Sequence, residues 1–151
     1  MYFHKEFDFL SNFYPCKDGT TVEHRYQAAK AMYPHEYEMV MKAETAGRAK
    51  RMGREITIRK DWKIIKYDVM KSLVFYKFLS DPELGEKLCK IKEDIIEHNV
   101  WHDNEWGQCT CENCAEIEGK NMLGEILMEV RSIIKNAKAS EMIDAFDINT
   151  L

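Results

Sequence analysis

No stretch of this sequence holds the ~20 consecutive apolar residues that a membrane-crossing helix needs. The first residues, Met1 to Phe9, carry charge and lack the pattern of a secretory signal. Both features predict a cytoplasmic protein with no membrane partner. Glycine (7) and proline (3) are sparse, and neither a Gly-rich phosphate loop nor a dinucleotide fingerprint occurs. That argues against nucleoside-triphosphate hydrolysis and dehydrogenase chemistry. Positive charge is not in excess either: Lys and Arg total 22 against 26 Asp and Glu, a net charge of -4. No global basic field exists to hold a long nucleic acid, although a local basic patch stays open. Repeats, low-complexity segments and linkers are also missing.

What is present is an ordinary globular composition, 45% hydrophobic and 32% charged over 151 residues. The length predicts one domain, residues 1–151, with 138–151 as a C-terminal tail. Residues 1–16 alternate aromatic and polar positions and read as short strand and loop. The spacing predicts helices at about 21–33, 35–44, 45–54 and 62–79, another opening at Asp81-Pro82, and a last one at about 121–137. Thr20 and Glu23 have capping-box spacing, and Asp61 is placed to cap the long fourth helix. That helix has the stripe Trp62, Ile65, Val69, Leu73, Tyr76 and Leu79. Residues 94–101 read as a strand and 102–120 as a long irregular loop, with Met142, Ile143 and Phe146 offering one more packed helical turn. The expected class is mainly α with small β elements (α+β).

Four segments can carry chemistry. Glu23 and Lys30 are seven residues apart, two helical turns, and so share a face. A carboxylate and an amine converging on one cleft suit acid–base or covalent work. From spacing alone, a capping Glu23 and a solvated Lys30 is the simpler reading. Arg48, Lys50, Arg51 and Arg54 surround Gly53 and suit a phosphate or pyrophosphate, or else form a solvated face. The stretch 97–107 concentrates His98, Trp101, His102, Asp103, Glu105 and Trp106, with indoles able to stack a base and carboxylates able to stabilise positive charge. Cys109, Cys111 and Cys114 place three of the five cysteines within six residues. In a reducing compartment thiol or metal readings come first. Zinc wants four ligands, and Cys16, Cys89, His98 and His102 are the candidates for the fourth.

Taken in order, several pieces resemble the NADAR family: Phe9-Leu10-Ser11-Asn12-Phe13, Thr21 to His24 with Gln27 to Lys30, Arg51 to Arg54, Asp61-Trp62 with Val69-Met70, Trp106-Gly107, and Gly119 to Gly124 running on to Arg131. They span about 9–131. The resemblance implies a single, largely helical domain and a hydrolase that cleaves the ribose–base C–N bond. The substrate would be a ribosylaminopyrimidine intermediate of riboflavin synthesis or an ADP-ribosyl adduct such as ADP-ribosylated guanine in nucleic acid. It implies Glu23 and Lys30 as active-site groups, and in such a reaction Glu23 or Asp103 is expected to hold the positive centre or activate water. It also implies Asn12, Phe13, Arg51, Arg54, Trp101, Trp106 and Asn121 as substrate contacts, Asn121 through the N-terminus of the last helix. No cofactor is required for such catalysis, a structural zinc on the cysteines stays open, and no obligate protein partner is evident. A non-catalytic ADP-ribose-binding module is the alternative. The chain departs from the family pattern at 108–118, where a longer Cys-bearing insertion replaces a short Gly-rich link.

Overall fold

A computed structural model of the chain describes residues 1–150, with side chains described through residue 141. Six α-helices dominate it: α1 (Val22–Ala29), α2 (Pro34–Met41), α3 (Ala46–Met52), α4 (Trp62–Leu79), α5 (Pro82–Lys90) and α6 (Met122–Thr150). Two short strands, β1 (His98–Asn99) and β2 (Gln108–Cys109), pair in parallel. The mainly helical α+β class is thus observed. By their contacts the residues form two compact units, one of Phe3–Asp81 and one of Met1–Tyr2 with the chain from Pro82 onward.

In the Phe3–Asp81 unit, α1 packs against α2, α3 and α4. Ala28, Val40, Ala49, Met52 and Ile56 form one apolar cluster. Small residues at 28 and 49 let α1 and α3 approach. Thr21, not Thr20, caps α1: its side chain accepts from the His24 N–H. Pro34 does more than interrupt the preceding helix, since it opens α2 at a position where its missing N–H costs nothing. Between these helices the chain pairs briefly with residues 57–59: the Met32 N–H donates to the Thr57 carbonyl at 2.8 Å, and the Arg59 N–H to the Lys30 carbonyl at 2.8 Å.

Three local expectations are corrected in this unit. The aromatic N-terminal segment forms a 3-10 helix over Lys5–Leu10, not a strand, burying Phe9 and Leu10. Asp61 occupies the N-cap position of α4 without a capping bond, because its carboxylate is held by the Arg59 guanidinium at 2.6 Å. The buried face of α4 carries Trp62, Met70, Val74, Lys77 and Phe78, while Tyr76 and Leu79 are exposed. This helix is apolar on more than one side, so periodicity could not choose the inward face. A lysine could lie on it because Lys77 Nζ donates to the Ser11 carbonyl at 2.7 Å.

In the other unit, α5 packs on α6. The stripe expected for the last helix is buried throughout: Leu123, Ile126, Leu127, Val130 and Ile134. Gly124 meets this packing closely, since a Cβ there would lie 2.1 Å from the Ile95 carbonyl oxygen. The expected strand at 94–101 shrinks to β1, and the stretch 102–120 gains β2 and a 3-10 turn at Glu112–Cys114. The helix runs well past residue 137; the side chains of Met142, Ile143 and Phe146, expected to pack on the body, lie outside the described residues. Among the described residues, no helix is long and apolar enough to cross a membrane.

Candidate active site

The Ser11-Asn12-Phe13 turn and α1 build one site in the Phe3–Asp81 unit. The turn docks on the first turn of α1, where the Glu23 N–H donates to the Asn12 carbonyl at 3.1 Å. Two further bonds fix it from α4: the Lys77 bond to Ser11, and a weak contact of 3.4 Å from Asn12 Nδ2 to the Met70 thioether Sδ. His24 anchors α1 on its far side. Its Nε2 lies 3.0 Å from the Ala43 carbonyl and must donate there, so Nδ1 accepts from the Thr21 hydroxyl at 2.8 Å. Both imidazole nitrogens are thereby used, and His24 serves the frame.

Glu23 is 6% exposed, and Gln27 Nε2 donates to its Oε1 at 2.7 Å. A buried carboxylate requires such a donor, since an unpartnered one is strongly penalised. Gln27 is in turn pressed by α3: a Cβ on Gly53 would lie 2.0 Å from Gln27 Oε1. The glycine within the Arg cluster is therefore a matter of helix approach. Glu23 is no surface cap, in contrast to the simpler reading of its spacing.

Lys30 ends α1 half-buried, its amine 5.3 Å from the Tyr26 ring centroid and 6.0 Å from that of Trp62. The two rings meet edge-to-face at 5.0 Å. Burial lowers the pKa of the Lys30 amine, and the nearby Arg54, Lys50 and Lys66 cations lower it further, against the opposing pull of Glu23. A less basic amine holds more of its neutral, nucleophilic form near neutral pH. Arg54 is exposed and contributes to this field, and Lys50 Nζ also lies 5.8 Å over the Phe13 ring. Arg51 is exposed on α3. Asn12, Phe13, Glu23, Lys30, Arg51 and Arg54 thus all belong to one unit. Tyr26, Lys50 and Trp62 join them around the amine; in the sequence Trp62 reads as part of the α4 stripe and of the Asp61-Trp62 piece of the resemblance, and neither marks it as a neighbour of Lys30.

The remaining residues singled out in the sequence lie in the other unit. Asp103 Oδ1 accepts from the backbone N–H groups of Glu105, at 3.0 Å, and Trp106, at 2.9 Å, so this carboxylate shapes its own loop. Asn121 has a left-handed backbone (φ 49°) and spends its amide on the neighbouring chain, donating to the Ile95 carbonyl at 2.8 Å and accepting from the Glu97 N–H at 3.0 Å. The first N–H groups of α6 are likewise spent: Met122 donates to Glu105 and Leu123 to Trp106. Trp101 is 57% exposed and Trp106 partly buried.

The cysteine insertion forms a separate cluster in that unit. The ligand atoms of His102, Cys109, Cys111 and Cys114 all lie within 4.8 Å of one another, so the group could hold a metal ion. His102 thereby emerges from the four candidates for a fourth ligand.

The NADAR domain profile matches residues 2–135, nearly the whole chain. The chain belongs to the NADAR domain family. A Nostoc punctiforme N-glycosidase is 35% identical over 121 residues, 77% of this chain and 74% of the relative. The Escherichia coli N-glycosidase YbiA is 32% identical over 130 residues, 81% of this chain and 78% of the relative. A Vibrio vulnificus riboflavin biosynthesis protein is 33% identical over 147 residues, 92% of this chain, which spans only 39% of that relative's length. The NMR structure of Escherichia coli YbiA superposes with a TM-score of 0.76 at 30% identity, covering 92% of this chain and 86% of the other. The mainly helical NADAR fold expected from the sequence is thus shared with a solved relative.

Proposed function

We propose that this NADAR domain is an N-glycosidase that hydrolyses the bond between ribose C1 and a nitrogen of its substrate, using Lys30 as nucleophile and Glu23 as its charged partner. The observation that carries this reading is the Lys30 amine at the end of α1, half-buried against Tyr26 and Trp62 with a lowered pKa, on the same helix as the buried Glu23. Relatives named N-glycosidases support the reaction class.

An N-linked ribose can open to an imine at C1. The Lys30 amine adds to C1 and gives its two protons in turn to the departing nitrogen, the bond from C1 to that nitrogen breaks, and C1 is left double-bonded to Nζ. Water then adds at C1, the C1–Nζ bond breaks, and the aldehyde sugar leaves as the amine is restored. Each step balances with water as the sole co-reactant. Glu23 opposes the positive charge of the iminium and can carry the proton between nitrogen and water. Asp103 is less suited to that task, because two backbone N–H groups already occupy its Oδ1. Arg51 and Arg54 would take the phosphate, with Asn12 and Phe13 at the sugar or base. The stacking roles expected of Trp101 and Trp106 rest on the sequence alone. This chemistry calls on no cofactor.

For substrate we favour a ribosylaminopyrimidine phosphate, because relatives from Vibrio vulnificus and Zea mays are named riboflavin biosynthesis proteins. The test offers this compound and, separately, an oligonucleotide carrying ADP-ribosylated guanine, and follows the freed base by mass spectrometry. Release from the pyrimidine alone, lost in Lys30→Ala, is the expected result. Release from the oligonucleotide alone moves the activity to ADP-ribosyl adducts. Release from neither, with ADP-ribose bound, makes the chain a ligand-binding module and overturns the proposal.

A further inference from the structure

We propose that His102, Cys109, Cys111 and Cys114 form a closed zinc site that ties the Cys-bearing insertion to the loop before it. This assignment stands independently of the glycosidase reading, since it concerns a different set of side chains.

The sequence offers a C-x-C-x-x-C run and leaves the fourth position open among four residues. The fold closes that choice. Asn99 and Cys109 face each other in the parallel pairing of β1 with β2, which brings the chain just after Asn99 alongside the cysteine run. The Trp101 and Asp103 N–H groups both donate to Asn99 Oδ1, at 3.3 and 3.2 Å, and this turn carries His102 between them. His102 itself takes a left-handed backbone, φ 66°, uncommon for a residue with a Cβ. In that conformation its Nδ1 lies 3.3 Å from Cys111 Sγ and 3.4 Å from Cys114 Sγ. The left-handed turn thus coincides with delivery of an imidazole to the sulfurs.

On the other side, the Cys114 N–H donates to the Cys111 carbonyl at 3.0 Å, a tight turn that holds both thiols of the C-x-x-C pair together. Cys109 and Cys114 are buried, at 1% and 5% exposure, and Cys111 is half-buried.

The distances suit the metal. Bonds of about 2.3 Å to sulfur and about 2.1 Å to nitrogen in a tetrahedron separate neighbouring ligands by roughly 3.6–3.8 Å. The two nitrogen–sulfur separations fall slightly inside that edge, and the spread of 4.8 Å across the whole group needs only small side-chain rotations to reach it. Soft thiolates with one imidazole select zinc over magnesium or calcium, which want oxygen. Four protein ligands leave no position for water or substrate, so the ion here is structural.

The consequence is local. Residues 102–120 hold few large apolar side chains, and one of them, Ile117, is 49% exposed. Zinc would supply the cross-link that a hydrophobic core cannot, joining the His102 turn to β2 and the 3-10 turn. Cys16 and Cys89 lie outside the cluster and serve as internal controls.

The test uses the full chain, purified under reducing conditions and reconstituted with zinc, then with cobalt. Elemental analysis is expected to give about one zinc per chain. The cobalt form is expected to show the thiolate charge-transfer band and the intense visible bands of a tetrahedral sulfur-rich site. Cys16→Ser and Cys89→Ser should keep both signatures. Cys111→Ser, at the half-buried ligand, should weaken zinc retention at least tenfold and alter the cobalt spectrum. Chelation should lower the melting temperature and move the emission of Trp101, next in sequence to His102. A wild-type chain that retains less than about a tenth of an equivalent of zinc overturns the site. So does a cobalt spectrum unchanged by Cys111→Ser, or recovery of two of the three thiols as a disulfide in the presence of excess reductant and zinc.

Discussion

Gln27 holds the Glu23 carboxylate through a 2.7 Å hydrogen bond inside the core of α1, and Gly53 of the neighbouring segment leaves no spare room behind the amide. The carboxylate proposed to act in the reaction and the residue permitting helix approach are thereby linked. Gly53→Ala should push Gln27 off Glu23, since the new Cβ would fall 2.0 Å from Gln27 Oε1. We expect a loss of kcat of ten-fold or more with a stability cost of about 1–3 kcal/mol, typical of overpacking. Steady-state kinetics alongside chemical denaturation checks it; full kcat in a folded Gly53→Ala variant would separate Gln27 from the site.

The surroundings of Lys30 predict opposite shifts in its pH profile. Reaction needs the neutral amine, so the rate should rise with pH through the Lys30 pKa, which burial and neighbouring cations set below its usual value of 10.5. Arg54→Ala removes one of those cations and should move the rising limb to higher pH. Glu23→Gln removes the opposing carboxylate and should move it to lower pH, besides slowing the reaction. The measurement is the rate of single turnover against pH for each variant. A limb that stays in place in both variants would mean that another group titrates.

Lys77 gives a stability prediction. Burial lowers its pKa from 10.5 to about 8, so from about pH 8 up to the unfolded value the unfolded chain binds the extra proton. Stability should therefore rise with pH across that window, by about 2 kcal/mol between pH 7.5 and 9.5 from this group. In Lys77→Met that increment should vanish, although the Ser11 carbonyl loses its donor. Denaturation of both proteins at the two pH values gives the difference; an equal rise in the variant would contradict it.

Asn121 is expected to matter for stability more than for substrate binding. Asn121→Ala removes a buried hydrogen bond to Ile95 and a partly buried one from Glu97, and puts an alanine at φ 49°. The combined cost is about 2–4 kcal/mol. Asn121→Gly relieves the backbone part and should recover roughly 1 kcal/mol of it. Thermal melts rank the three proteins, and KM should change less than two-fold in the variant that stays folded.

Much of this was legible in the sequence where one local signal was strong. The helix α4 matched its predicted bounds, and Leu123 to Ile134, with apolar spacing of one helical period, gave the buried face of α6. The inward face of α4 was not legible, since apolar residues lie on several sides and a distant carbonyl, that of Ser11, decided that Lys77 turns in. The placement of Glu23 and Lys30 two helical turns apart could be read from the sequence, but the burial of Glu23 could not, for it depends on Gln27 and α3. His102 could be named only as one candidate among four. Its selection came from the β1–β2 pairing, a contact between segments that no local pattern encodes. Asp103 stands out in the sequence as a carboxylate among indoles and Asn121 as the residue opening the last helix; that their side chains bond nearby backbone N–H and carbonyl groups is set by contacts no local pattern encodes.

Borohydride trapping tests the central claim most directly. The chain is mixed with the ribosylaminopyrimidine phosphate, reduced during turnover, digested and read by mass spectrometry. The account predicts a ribose-phosphate adduct on the peptide carrying Lys30, absent from Lys30→Ala and from unreduced samples. Efficient release of the base with no adduct on Lys30 would contradict a covalent role for this amine.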